Sequence, residues 1–496
     1  MKKLIVVRHC KSSWKDLTLN DYNRPLNKRG KIDGPIMSKY LSQSIQEIDF
    51  LHSSSSVRTF ETSKFFIDKI KFVEINYDDD LYHCSSSSLI RIIKNHPKKY
   101  NSVLVIAHNP GLTNMINSLT NITHYKYSIT QSNTPGTNRL AVEFETKMIR
   151  ASAVLKRALE LKEDGFEPDL LIIHPGWGEG FVLKEVWPHS KVINYFEFYY
   201  NTKDSDVDFD LKEDSRPNYD IDLRTRLVAR NAPFLSACNQ SDFMISPTKF
   251  QKSTAPIEYQ NKIKVIHDGI DTAALTSKPD ASITLTSESN TNKKKTLTRK
   301  NKIIAFVNRN LEPYRGYHSF MRSLPQVIEK HPDAYILIVG GSDVSYGAKP
   351  KGDLSYKDIY YNEIKDKIPD NNNIIFLGFV KYNLLISILD IASVHVYLTY
   401  PFVLSWSMLE SMALGGLVLG SKTSPVEEVI NHNKNGLLVD FFDHKSISKN
   451  INSILDNPEK YKSMRAEARK TIIKDYDLYS KCLPEQLKII DGLLNE

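Results

Sequence analysis

Residues 303–316 read Ile-Ile-Ala-Phe-Val-Asn-Arg-Asn-Leu-Glu-Pro-Tyr-Arg-Gly. Five consecutive apolar residues, a polar loop closed by Pro313 and Gly316, and a helix-length stretch beyond predict a buried parallel strand, a turn and a helix N-terminus. The pattern repeats downstream. Apolar runs recur at Tyr335–Val339, Ile374–Leu377, Val394–Leu398 and Leu417–Leu419, each separated by enough residues for a helix. Such alternation predicts a doubly wound α/β sheet over residues 301–496, closed by a helical stretch from Pro458 to Asp475 that packs back across the domains.

Upstream, residues 277–300 are rich in Ser, Thr, Asn and Lys and read as a linker or excursion. Residues 122–276 form a second α/β region, with strands at Leu170–Ile173, Val192–Tyr195, Phe243–Ser246 and Lys264–His267. Residues 1–121 form a third. There the order is strand (Lys3–Val7), helix (Gly30–Ser44), short strand (Asp49–Leu51), helix (Val57–Ile70), an acidic turn at Asp78–Asp80, another helix and a strand (Val103–Ala107).

A chain of 496 residues exceeds one compact core, and 41% apolar with 25% charged residues is the composition of a folding chain. The formal charge of +8 is scattered, apart from small clusters such as Lys293–Lys295. It suits phosphate-bearing substrates or an anionic membrane surface and does not require nucleic acid. Cys10, Cys84, Cys238 and Cys482 form no CxxC pair, which argues against a disulfide framework or a structural zinc and fits a cytoplasmic protein, at most peripheral at the inner membrane face. The apolar run after Met1 stops at Arg8-His9, too short for a signal peptide. Ile388–Trp406 is interrupted by Asp390, His395 and Pro401 and reads as a buried strand, loop and helix.

Chemistry-bearing residues sit where strands end. Arg8-His9 follows the first strand, Arg58 opens a helix, and His108 follows the strand Val103–Ala107. A neutral imidazole with cationic neighbours suits phosphoryl transfer, and guanidinium matches phosphate oxygens in pairs. The Arg8-His9-Cys10-Lys11-Ser12-Ser13-Trp14 opening, Arg24–Gly30, Ser53–Thr62 and His108-Asn109-Pro110-Gly111 together resemble the SixA-type phosphohistidine phosphatases of the histidine phosphatase superfamily. The resemblance implies His9 as nucleophile, Arg8, Arg58 and His108 as phosphate clamp, and Arg24 as a further phosphate ligand, with a phosphohistidine protein as partner. Asp78, Asp79, Asp80 and His83 are all candidates for the general acid, and spacing does not choose among them.

In the third region Arg309, Arg315 and Gly316 lie together just before a helix, so two cations and a helix N-terminus converge where a diphosphate would lie. This stretch, with His174–Glu179, Tyr195–Tyr200, Val265–Asp271 and Tyr400–Ala413, resembles a family 4 glycosyltransferase, built from two Rossmann-like domains of the GT-B type, over about three quarters of the chain. The resemblance implies transfer from a nucleoside-diphosphate sugar with retention to a saccharide or lipid acceptor. It implies no metal, because Arg309 and Arg315 neutralise the leaving diphosphate, and it places Glu410 on the ribose and Glu428 near the nucleotide.

Many relatives have a second glutamate eight positions before Glu410; Phe402 stands here. Recognition of the donor sugar then falls to other groups, the backbone N–H groups of Val403 to Ser405 being candidates. His174, Gly176 and Gly178 either face the sugar or phosphates across the cleft or form a turn that supports the fold. The alternation of Asp204, Asp206, Asp208 and Asp210 lacks the glycine and terminal glutamate of a calcium loop and reads as an acidic surface segment. Gly340-Gly341 reads as a strand-end turn. The matching sequence enters near Ile122, so the opening βα units of the acceptor-side domain are expected to be absent, the phosphatase segment standing in their place. The rival class is a protein that binds a nucleotide sugar without turnover, leaving only the phosphatase active.

Overall fold

The computed structural model describes residues 3–14, 16, 18–97, 99–109, 111–112, 115, 123–213, 220–286, 294–370 and 372–495. Pro110, Lys293 and the boundary at 121–122 lie outside them. The chain divides into two compact units, Met1–Lys126 and Tyr127–Glu496.

The first unit is a four-stranded parallel sheet. Strands β1 (Lys3–Arg8), β2 (Glu47–Ser54), β3 (Lys71–Asp78) and β4 (Ser102–Ala107) lie in the order β1-β4-β2-β3. Helices α1 (Lys28–Ser42), α2 (Val57–Ile67) and α3 (Ser86–Lys94) connect them. The central strand β4 is the run Ser-Val-Leu-Val-Ile-Ala, buried on both faces as a parallel strand requires. Parallel pairing sets Arg8 opposite Ala107, so the residues that follow β1 and β4 emerge side by side. Each of the three longer helices in this unit begins after a polar cap residue; Asn27 and Ser85 accept a hydrogen bond from the first turn through their side chains.

The second unit contains two sheets with Rossmann-like connections. Strands β5 (Leu170–Ile173), β6 (Lys191–Tyr195), β7 (Phe243–Ser246) and β8 (Ile263–Val265) pair in parallel, in chain order. Strand β5 is an edge, and its Ile172 is 64% exposed. Next comes an antiparallel hairpin, β9 (Ser282–Thr286) with β10 (Lys294–Thr298). This corrects the linker expected from composition: Ile283 and Leu297 face one way and are buried in the neighbouring core, while the Ser, Thr and Lys residues between them face out.

Strands β11 (Ile303–Asn310), β12 (Tyr335–Gly341), β13 (Ile374–Gly378), β14 (Val394–Tyr397), β15 (Val418–Ser421) and β16 (Leu437–Val439) form a six-stranded parallel sheet in the order β13-β12-β11-β14-β15-β16. This is an α/β fold of the GT-B kind. The strand order reverses between β11 and β14, and a crevice at the carboxyl ends of such a pair is where open α/β sheets bind ligands. Helix α4 (Tyr317–Lys330) follows β11 and α5 (Trp406–Ala413) follows β14, so both flank that point.

Two segments tie the halves of this unit together. The alternating aspartates belong to a strap, residues 201–213, that leaves the β5–β8 half and packs on the β11–β16 half. Asp206 and Asp210 are buried, where an acidic surface segment was expected. The Tyr314 hydroxyl donates to Asp206 Oδ2 (2.5 Å) and the Tyr400 hydroxyl to Asp210 Oδ2 (2.8 Å). Phe209 packs against the rings of Tyr400, Phe441 and Phe442. Asp206 and Asp210 thus point inward, while Asp208 turns back to accept from the N–H groups of Asp204 and Ser205. The second tie is the end of the chain. Helix α6 (Lys462–Tyr476) buries Ala468 and Ile472 in the β11–β16 core, the chain crosses at the bridge between Ile270 and Asp477, and α7 (Leu483–Leu494) packs Leu493 against Ile193, Ile245 and Ile266 of the other half.

Candidate functional site

In the first unit, His9 and His108 leave the adjacent ends of β1 and β4, and their rings lie 4.9 Å apart. Arg58 enters from the first turn of α2, buried between them. Its Nε donates to His9 Nε2 (3.3 Å), and its Nη2 lies 3.2 Å from His108 Nδ1. The Nδ1 of His9 is 2.7 Å from the Cys10 carbonyl, which can only accept, so Nδ1 carries the proton and Nε2 presents its lone pair to the site. Burial pushes the His9 imidazole down to about 4, helped by the charges of Arg58 and Arg8, and burial with the neighbouring His9, Arg58 and His83 takes His108 to about 3. Both rings are therefore neutral at ordinary pH.

Asp21, a residue that the sequence motifs pass over, organises this cluster. Its carboxylate accepts from Arg58 Nη2 (2.7 Å) and the Tyr82 hydroxyl (2.8 Å) and lies 3.0 Å from His83 Nε2. Burial would raise its pKa, but the hydrogen bonds from His83, Tyr82 and Arg58 together hold it well below the usual carboxylate range. Its one sequence signal is its place just before Arg24-Pro25, on the loop that the motif already marks. Arg24 reaches the cluster through Asp21 (3.5 Å) and stacks on Trp14 at 3.7 Å.

Arg8 is exposed at the end of β1. Of the candidates for general acid, His83 joins the cluster by stacking on His108. Asp78 instead lies 3.1 Å from His52, and Asp79 accepts from Tyr22. Asp80 uses its backbone N–H to close the turn onto Asp78.

In the second unit, Arg309 is exposed at the end of β11, while Arg315 is buried in the turn before α4. The Nη1 of Arg315 donates to Thr399 Oγ1 and the Val403 carbonyl, both at 2.8 Å, and its guanidinium lies over Tyr346 and Phe402. Phe402 thus supports the Arg315 guanidinium. Gly316 has φ +68°, and a Cβ there would overlap Leu398, so only glycine lets α4 start this close to β14.

Glu410 is buried on α5 and accepts from the Tyr382 hydroxyl (2.8 Å); burial raises its pKa. Beside Arg315, the carboxylate of Glu312 accepts from the N–H groups of Ser345 and Tyr346, and burial pushes it up to about 7.

Two of the expected groups have partners within the chain. The carboxylate of Glu428 accepts from the backbone N–H groups of Lys249 (2.9 Å) and Phe250 in the other half. These amides begin the short helix Lys249–Thr254, whose unsatisfied donors favour an anion. The Ser405 N–H is likewise occupied, donating to the Tyr397 hydroxyl (2.8 Å), and the Ser405 side chain caps α5.

His174 stacks on Tyr195, and its Nε2 is 3.4 Å from Glu197. Gly176 packs under the His174 ring, and Gly178, at φ +91°, closes the turn against Lys147. The turn reading therefore accounts for both glycines. Nearby, Asp268 accepts from the Tyr195 hydroxyl of one half and the Trp406 indole of the other, both at 3.1 Å. Among the described residues, one group could share a cation: the side-chain ligand atoms of Asp210, Glu213 and His318 lie within 4.8 Å of one another. Tyr400 already donates to Asp210, and Arg322 and Tyr360 to Glu213, so these carboxylates are compensated within the protein.

Comparison with known proteins agrees with this architecture. Residues 101–275 match the model of the glycosyl transferase family 4 group, and residues 288–471 that of the glycosyl transferases group 1. The chain thus carries glycosyltransferase domains. The first match reaches back into the first unit and includes β4 and His108.

Spore coat protein SA of Bacillus subtilis is 27% identical over 171 residues, 34% of this chain and 43% of that protein. An uncharacterized glycosyltransferase of Methanocaldococcus jannaschii is 27% identical over 199 residues, 40% of this chain and 47% of that protein. The chain spans about half the length of the curated relatives it matches. Among solved structures, sucrose-phosphate synthase from Thermosynechococcus elongatus superposes with a TM-score of 0.55 at 16% identity, over 76% of this chain and 86% of that one. Anabaena HepE, solved with UDP and glucose, gives 0.51 at 16% identity over 90% and 99%. Both likenesses concern the fold. SixA from Agrobacterium tumefaciens, 23% identical, covers 23% of this chain and 73% of its own with a TM-score of 0.22, which is too slight to carry an argument.

Proposed function

We propose that the second unit transfers a sugar from a nucleoside-diphosphate sugar, with retention and without a metal. The observation that carries this reading is the placement of Arg309 and Glu410 on either side of the strand-order reversal between β11 and β14. There a guanidinium can meet a diphosphate while a buried carboxylate, with Tyr382 as its neighbour, offers acceptors to vicinal ribose hydroxyls. That HepE was solved with UDP and glucose supports the donor class. The acceptor is a saccharide or a lipid. The test is calorimetric titration of uridine diphosphate into the parent, Arg309→Ala and Glu410→Ala, with and without a chelator. Each variant should bind roughly ten- to a hundredfold more weakly, and the chelator should change nothing. Unchanged affinity in both variants overturns the site.

A second reading, binding without turnover, is favoured by the open edge at β5, where Ile172 is exposed on the half that would hold the acceptor. Measuring transfer separately from binding decides between them.

For the first unit we propose phosphoryl hydrolysis through a covalent intermediate on His9 Nε2. It is supported by the convergence of His9, Arg58 and His108, with the proton on Nδ1. A phosphohistidine protein suits it as substrate. His9→Ala should abolish hydrolysis of p-nitrophenyl phosphate while leaving uridine diphosphate binding intact; hydrolysis at the parent rate overturns the assignment.

A further inference from the structure

Helix α1 is built inside out. The residues it turns inward are Gly30, Gly34 and Ser38, at a spacing of four. A Cβ on Gly30 would strike the Lys11 carbonyl and one on Gly34 the ring of Phe65, so the helix lies too close to its neighbours for larger side chains. Its large apolar residues point the other way. Ile32 is 63%, Ile36 50%, Met37 52% and Tyr40 57% exposed. At 100° per residue these four fall on one side of the helix, an arc they share with the exposed Arg29–Asp33 ion pair, and Lys28, Lys31 and Lys39 fall together along one rim of it. Arg29 pairs with Asp33 at 3.3 Å, whereas those three lysines make no ion pair among the described residues.

The charge of the chain points the same way. Residues 1–126 hold 19 Lys and Arg against 11 Asp and Glu, a surplus equal to the whole formal charge of +8. The glycosyltransferase part is therefore formally neutral, and all of the net positive charge resides in the unit that presents this apolar arc. A basic rim beside a band of Ile, Met and Tyr is the pattern of a helix that lies in a bilayer interface, its apolar side at the acyl boundary and its lysines among anionic headgroups. No helix among the described residues is long and apolar enough to cross a membrane, so the contact would be superficial.

We propose that α1 docks the protein on an anionic lipid surface. An acidic protein would meet the lysines but would leave the apolar arc without a partner, and a second copy of this chain would set two basic rims against each other.

The experiment is co-sedimentation of the full chain with phosphatidylcholine vesicles that do or do not contain phosphatidylglycerol, combined with light scattering without lipid. The parent should bind the anionic vesicles and not the neutral ones. Ile32→Ser/Ile36→Ser and Lys31→Glu/Lys39→Glu should each weaken that binding by roughly tenfold or more, the second more strongly at low salt. Because all four positions are exposed, both variants should keep the parent melting temperature and the parent affinity for uridine diphosphate, which separates lost docking from lost fold. Equal binding of the parent to both kinds of vesicle, or variants that bind anionic vesicles as the parent does, overturns the proposal. So does a parent dimer that Ile32→Ser/Ile36→Ser converts to monomer, which would identify the arc as a self-association surface.

Discussion

Replacing Asp210 by alanine should release the strap. Its carboxylate is buried on the β11–β16 half, takes a 2.8 Å hydrogen bond from Tyr400 and lies 3.1 Å from His318 Nε2. A hydrogen bond to an ionised acceptor contributes about 1.5–3 kcal/mol, and stranding a buried polar partner costs about 1–3 kcal/mol more. Tyr400 and His318 are almost completely excluded from water, so solvent cannot replace the carboxylate beside them. The expected loss is therefore ~3–5 kcal/mol, the range found when one member of a buried pair is removed. Tyr400→Phe breaks the same hydrogen bond from the other side and should cost about 1–2 kcal/mol. If the two groups act on each other, the double variant should be less damaged than the sum, by ~1–2 kcal/mol. Urea unfolding followed by tryptophan fluorescence, run on all four proteins, measures this coupling. Additive losses within about 0.5 kcal/mol would show that the hydroxyl and carboxylate do not hold the strap, and the reasoning would fail.

Three further outcomes are expected. In histidine-labelled protein the His9 ring should titrate near 4, and Arg58→Ala should raise that midpoint; a midpoint at 6 or above in the parent refutes the burial argument. Glu312 has its pKa raised in the fold from about 4.5 to about 7, so the stability it contributes is present below 4.5 and lost as pH rises to 7, by ~3 kcal/mol. Glu312→Gln should flatten that part of the stability profile, and an unaltered slope would count against it. Gly316→Ala combines a positive φ with overlap on Leu398 and should cost about 3 kcal/mol or more; a loss under about 1 kcal/mol would mean that α4 can shift.

Five strands of the β11–β16 sheet were legible because each holds a largely apolar run, and β11 was read within three residues at its carboxyl end, whereas the three-residue β16 was not read. β3 was missed: Lys-Phe-Val-Glu-Ile-Asn-Tyr-Asp is half polar because it is an edge strand whose residues are exposed or only half-buried. The strap was misread for a different reason. A buried aspartate and an exposed one are the same letter, and what buries Asp206 and Asp210 is Tyr314 and Tyr400, more than a hundred residues away. In the first unit the motif marked His9, Arg58 and His108, yet Asp21 escaped because its role comes from partners distant in the chain, Arg58 on α2 and the adjacent Tyr82 and His83. Glu428 shows the converse: the motif identified the residue, but only the packing of the short helix Lys249–Thr254 revealed what its carboxylate holds.

The return of α7 to the β5–β8 half has a consequence for synthesis. Ile193, Ile245 and Ile266 are translated well before Leu493, which completes their cluster. As the chain leaves the ribosome, the β11–β16 sheet can close over its own core first, while the earlier half waits with that apolar face uncovered. The half that begins first is thus finished last, and a nascent chain halted between Tyr476 and Leu483 would present a folded β11–β16 half beside a sheet still open to chaperones and proteases.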